Sequence, residues 1–247
     1  MNWVGLAGFG LVILSAILMA GLAFLRRKST PAFREIPAFA RLRKAIGLAV
    51  EEGSRLHISL GRGGLTTPQS AAELAGLEML RRLSELTATS DRPPVATSGD
   101  GAVTILSQDA LLASEQAALS TRYDPTAARL TGLTPFSYAA GALPVMQDEN
   151  ISANVLMGNF GVEVALLTDT AERGNTSTLA GSDNLTAQAI LYASAQDPLI
   201  GEELYAAGAY LKARPFHSAS LTVQDILRWL IVIGILVGAL LKLAGVL

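Results

Sequence analysis

A run of 23 residues from Trp3 to Leu25 without a single charge constrains this chain more than any other feature. About 20 such residues cross a hydrocarbon core roughly 30 Å thick as an α-helix, because a helix satisfies its own backbone polar groups where no water can. A second apolar run, Trp229 to Leu247, is interrupted only by Lys242, whose stem can snorkel toward a headgroup layer. The sequence therefore predicts an α/β protein with a largely parallel sheet layered with helices, flanked by N- and C-terminal transmembrane helices. The boundaries are a transmembrane helix over 1–27, a linker and amphipathic helix over 28–53, a cytoplasmic α/β domain over 54–220 and a second transmembrane helix over 221–247. The bilayer is the first partner this implies.

Charge placement predicts the orientation. Arg26, Arg27, Lys28, Arg34, Arg41, Arg43 and Lys44 follow the first span, and Lys212, Arg214 and Arg228 precede the second. By the positive-inside rule the middle domain is cytoplasmic and both termini lie outside. Met1 to Gly5 lacks the basic residues of a signal peptide, so the first span is expected to stay attached. A net charge of −2 and the absence of a groove-sized basic patch argue against nucleic acid as a partner. The chain has no cysteine, which excludes disulfides and thiolate chemistry. Asn150, Asn175 and Asn184 begin glycosylation sequons that a cytoplasmic domain would leave unused.

Helical and strand patterns alternate through the middle. Phe39, Leu42, Ile46, Ala49 and Val50 recur at helical spacing and stop at Gly53; the face carrying Arg41, Arg43 and Lys44 either rests on anionic headgroups or is solvated while the helix packs on the domain. Leu56, Ile58 and Leu60 alternate with His57 and Ser59 as in a strand. Thr67 and Pro68 are placed to start a helix running to about Thr89, with Glu78–Arg82 and Arg81–Glu85 one turn apart. Val95 to Thr97 is a short strand-like run, followed by a helix from Ala102 or Leu106 to Ser120. Ala139 to Met146, Val162 to Leu167 and Thr176 to Ala180 are apolar runs of strand length. Helices are then expected from Leu185 to about Ala195 and from Pro198 to near Ala213. Such alternation favours a parallel sheet.

Three glycine-bearing turns stand between strand and helix signals: Gly61-Arg62-Gly63-Gly64, Ser98-Gly99-Asp100-Gly101 and Gly181-Ser182-Asp183-Asn184. The first and third share the form Gly-x-x-x-Leu-Thr, an echo that suggests either chance or duplication. In a parallel sheet such turns gather at the carboxyl ends of the strands, where exposed N–H groups and a helix dipole favour an anion. The alternative is that these glycines serve tight turns and close packing, and that Asp100 and Asp183 cap helices rather than bind a metal or ribose. Neither the dinucleotide pattern nor the P-loop is complete, since Thr66 stands where a third glycine would. His57 and His217 have no carboxylate at metal-ligand spacing, no serine lies in a Gly-x-Ser-x-Gly elbow, and Glu51 and Glu52 point to diverging faces. No catalytic set, metal site or cofactor is predicted. In the spans, Gly234-x-x-x-Gly238 and Ala16-x-x-x-Ala20 offer small faces for helix contact, within the pair or between protomers. Thr222 to Asp225 resembles a helix-start box, and Trp3 and Trp229 sit at interfacial positions.

The stretches Phe33-Arg-Glu-Ile-Pro, Ile58 to Ser70, Ser90 to Asp100 and Ala180 to Gln188 resemble a bacterial family of membrane proteins defined as a domain of unknown function. The resemblance spans nearly the whole chain and implies a bacterial membrane setting, with no activity, cofactor or catalytic residue attached. The sequence thus leads to a non-enzymatic, membrane-anchored protein that self-associates as a scaffold or accessory subunit. The alternative is a sensor that grips a nucleotide or other anion with its glycine turns, and an enzyme acting on a phosphate compound is the remaining class.

Overall fold

The computed structural model describes residues 3–25, 34–67, 70–88, 90–119, 124–211 and 215–244. Two compact units result: Glu35–Leu211, and a second built from Met1–Arg34 with Lys212–Leu247. Arg26, Arg27, Lys28, Pro68, Gln69, Thr89, Ser120, Lys212, Ala213 and Arg214, on which several of the expectations above rest, lie outside the described residues.

In the larger unit, six strands form one parallel sheet: β1 (Arg55–Gly61), β2 (Val95–Ser98), β3 (Ala128–Leu130), β4 (Ile151–Asn159), β5 (Ser177–Ser182) and β6 (Asp197–Leu199), in the order β3-β2-β1-β4-β5-β6. Helices cover both faces. Against one lie α2 (Pro37–Glu52), α3 (Ser70–Leu86), α4 (Gly101–Ala117) and α8 (Glu203–Tyr210), packed on Leu56, Ile58, Leu60, Val155, Met157 and Leu179. Against the other lie α5 (Pro135–Asp148), α6 (Val164–Arg173) and α7 (Leu185–Ser194), packed on Leu156, Phe160 and Ala180. The α/β class and the parallel sheet are as the sequence predicts.

Double coverage changes what the strand patterns mean. All seven residues of β1 are buried, so His57 and Ser59 alternate with leucines without facing water. His57 sits in a polar ladder across three strands: Nδ1 is 2.9 Å from Asn154 Oδ1, Nε2 is 2.9 Å from Thr97 Oγ1, and Asn154 Nδ2 donates to Thr176 Oγ1 at 2.7 Å. Burial, partly offset by the bond to Asn154, lowers its pKa to about 4, which keeps the ring neutral.

The amphipathic helix α2 belongs to this unit. Phe39, Leu42, Ile46 and Ala49 are buried in the core, Phe39 stacks on Tyr210 with ring centroids 4.9 Å apart, Arg41 pairs with the buried Asp197, and Arg43 donates to the Tyr210 carbonyl. Of its two readings, packing on the domain is the one found.

Several element assignments need correction. Ala139 to Met146 lies in α5, where Thr134 and Ser137 form a capping box and Pro135 opens the helix; the run is mostly Ala, Gly and Leu, with Val145 its single β-branched residue. Val162 precedes α6 and Leu167 lies within it, while the Thr176 to Ala180 run matches β5. The nine-residue strand β4 was not anticipated, because Ser152, Asn154 and Gly158 break its apolar run. Pro198 lies in the edge strand β6, where a missing N–H is tolerated, and α8 starts only at Glu203. The helix at Gly101–Ala117 follows the expected N-cap Asp100, whereas the helix at Leu185–Ser194 is capped by Asn184 and not by the expected Asp183, whose carboxylate accepts from Asn159 instead. The echo is not structurally equivalent: Leu185 opens α7 directly, whereas Leu65 and Thr66 lie in a turn.

The second unit contains α1 (Trp3–Leu25) and α9 (Pro215–Leu243), which pack on each other and are long and apolar enough to span a membrane. Because α9 begins at Pro215, Thr222 and Asp225 lie inside it, not at its start; Thr222 donates to the Ser218 carbonyl and Asp225 lies 3.6 Å from Arg228. Added Cβ atoms at Gly234 and Gly238 would meet nothing within 4 Å, and Ala16 and Ala20 are exposed. The covered side of α1 instead carries Leu18, Met19, Leu22 and Ala23.

Candidate ligand crevice at the strand-order reversal

Strand order reverses between β1 and β4. The chain leaves β1 toward α3 on one face and β4 toward α6 on the other, so the two loops part at the carboxyl edge. In open α/β sheets this parting is where ligands bind. All three glycine turns reach that edge, after β1, β2 and β5.

Gly61 closes β1 with φ +76°, a left-handed conformation that a Cβ would also block by running into the Asn159 carbonyl. Arg62 N–H then donates to the Asn159 carbonyl at 2.9 Å and Gly99 N–H to the Gly61 carbonyl at 2.8 Å, joining the ends of β4, β1 and β2. Behind this junction Tyr138, fully buried, accepts from Gly61 N–H at 3.2 Å and shares a hydrogen bond with Ser59 Oγ. Burial raises the Tyr138 pKa.

The mouth itself is filled by carboxylates that the sequence did not single out. Glu73, in the first turn of α3 and fully buried, turns back so that Oε1 accepts from Gly63 N–H at 2.6 Å and Asn159 N–H at 3.0 Å. It occupies the Gly63 and Asn159 N–H groups that an anion in this turn would use. Burial pushes its carboxyl up to about 7, against the pull of those two N–H groups, and nearby Asp183 adds to the rise. Glu163, 1% exposed, accepts from Arg62 Nε and Gly161 N–H, both at 2.9 Å. Burial raises the Glu163 carboxyl, but the Gly161 N–H and the Arg62 side chain outweigh it and hold the pKa below the ordinary range.

Around them, Asp183 accepts from Asn159 Nδ2 at 2.7 Å, and burial together with Asp183 and Glu73 raises Tyr205. Asp100 is the N-cap of α4, accepting from Val103 N–H at 3.0 Å, and Asn184 caps α7. Ser182 Oγ accepts from Phe160 N–H and Asn184 N–H, and Ser98 Oγ contacts Thr104. The structure therefore brings Gly61, Arg62, Gly63 and Gly64 together with Asn159 and Asp183, with Ser98, Gly99 and Asp100 alongside and Gly181, Ser182 and Asn184 one strand beyond β4. The N–H of Gly63 and the guanidinium of Arg62 are engaged by Glu73 and Glu163.

One carboxylate oxygen on each of these two residues, Glu73 Oε2 and Glu163 Oε2, is buried without a hydrogen-bond partner. Among the described residues no group of three or more His, Cys, Asp or Glu is arranged to hold a metal ion. At the opposite edge of the sheet, a polar cavity of about 390 Å³ opens between the ends of α6 and α7, lined by Thr168, Asn175, Ser194 and Gln196 among others.

A domain of unknown function, DUF6754, matches residues 4–247. No curated protein and no solved structure matches the chain.

Proposed function

The chain belongs to the DUF6754 family, a domain of unknown function, over almost its whole length, and we propose from the geometry that it is a membrane-anchored, non-enzymatic sensor whose α/β unit takes a small molecule in the crevice between β1 and β4. The observation that carries this is the reversal of strand order beside glycine turns and buried, half-satisfied carboxylates. The terminal helices hold the unit at a bacterial inner membrane, and the basic residues beside them favour a cytoplasmic unit with both termini outside.

Thermal unfolding of the full chain in detergent, against a panel of nucleotides, amino acids and amines, tests the reading. A ligand at 100 times its Kd stabilises by about 2.7 kcal/mol. For a unit of this size that raises Tm by roughly 5–10 °C. The shift should vanish in Asp183→Ala, and silence across the panel refutes the reading.

A second reading, self-association as a scaffold, is favoured by exposed apolar residues on the same edge: Leu133, Phe136, Val162 and Leu185 are 70%, 63%, 51% and 81% exposed. The open Gly234–Gly238 face suits a contact between protomers. Monodisperse monomers in gentle detergent, with nothing copurifying, would overturn it.

A further inference from the structure

Resting on the crevice reading, we infer that the ligand presents a cationic, hydrogen-bond-donating group, a primary ammonium or guanidinium, to Glu73 Oε2 and Glu163 Oε2, and that the crevice does not take a phosphate. Both oxygens belong to side chains at most 1% exposed, and both lack a partner. A buried acceptor without a donor is costly, so a ligand that supplies the donor gains what the empty site lacks. Among the described residues, the titratable and charged groups at this edge are Arg62, Glu73, Asp100, Glu163, Asp183 and Tyr205, with a single base among five titratable acids. Arg62 is already paired with Glu163, and the Gly63 N–H that would cradle a phosphate is held by Glu73. An incoming anion would have to displace one carboxylate and face the others. A cation meets carboxylate acceptors and one guanidinium that is already paired with Glu163, and its N–H groups can bind two oxygens at once.

The test is titration of the full chain in detergent with agmatine, putrescine and lysine, and separately with ATP and inorganic phosphate. Glu73→Gln and Glu163→Gln retain an amide oxygen for the existing N–H bonds, so both variants should fold, which circular dichroism checks. At least one of the three cations should raise Tm where ATP and phosphate do not. Its Kd should weaken at least tenfold in Glu73→Gln and Glu163→Gln and stay unchanged in the exposed controls Glu51→Gln and Glu52→Gln. Calorimetry near pH 6 in two buffers should show proton release as Glu73 ionises against the cation. Stabilisation by ATP or phosphate alone would overturn the inference and leave the crevice reading standing. A cation effect that survives both crevice substitutions would be surface binding and would also overturn it. No shift with any compound here or in the wider panel would remove both.

Discussion

Glu73→Gln separates two buried titrations that oppose each other in the native protein. Glu73 rises from an ordinary 4.5 to about 7, so the folded state holds its proton more tightly than the unfolded chain. That contribution is fully present below pH 4.5 and is lost as pH rises toward 7. At about 1.4 kcal/mol for each pH unit of difference, it amounts to roughly 3 kcal/mol. His57 falls from 6.5 to about 4, so the unfolded chain takes its proton first. Its contribution, of similar size, is present above pH 6.5 and is lost as pH falls toward 4. Between pH 4.5 and 6.5 the two slopes cancel, and the native protein should show little pH dependence there from this pair. The variant keeps the His57 slope and loses the other. The stability difference, variant minus native, therefore climbs by about 3 kcal/mol from pH 4.5 to 7, and every other titration drops out of it. Urea unfolding of both proteins in the same detergent, followed by circular dichroism at half-unit pH steps, measures this difference. A constant difference across the range would refute the assignment of a buried, strained carboxylate at the crevice.

Tyr138→Phe removes the hydroxyl that serves Ser59 and Gly61 N–H at the end of β1, and should cost about 1–3 kcal/mol in the same assay. Gly76→Ala should cost a similar 1–3 kcal/mol, because the new Cβ meets the Met157 carbonyl and Leu60 Cδ2 where α3 crosses the sheet; an unchanged urea midpoint would show that the helix can lift away. For topology, Asn2→Cys should react with an impermeant thiol reagent on intact cells and Gln116→Cys should not. Gln116 is the better probe than its neighbour Ser114, which is buried. Labelling of Gln116→Cys alone would invert the orientation.

The sheet was legible where strands ended in glycine turns and helices began just after them, since those signals are local, although the cap of α7 is Asn184 and not Asp183. β4 was not, because Asn154 and Gly158 weaken its apolar pattern for reasons that exist only across the sheet: Asn154 completes the His57 ladder, and a Cβ at Gly158 would strike the Leu60 carbonyl. The crevice glycines were visible in the sequence, but the carboxylates that engage them were not. The spacing of Glu73 from Gly76, Leu80 and Leu83 places it on the apolar stripe of α3, and an acid on a buried stripe is the signal that could have found it. Glu163 carries the same mark, one turn before Leu167 and two before Ala171.

Because β1 lies between β2 and β4, the order of synthesis matters. A ribosome that has released the chain through β3 has made half a sheet whose central strand still shows one bare edge, with Asn154 and Asn159 yet to be made. His57, Arg62 and Glu73 are then without their partners on or beyond β4. Until β4 arrives that strand edge is what a chaperone would have to guard, and Asp197 of β6, the partner of Arg41 on α2, is made later still.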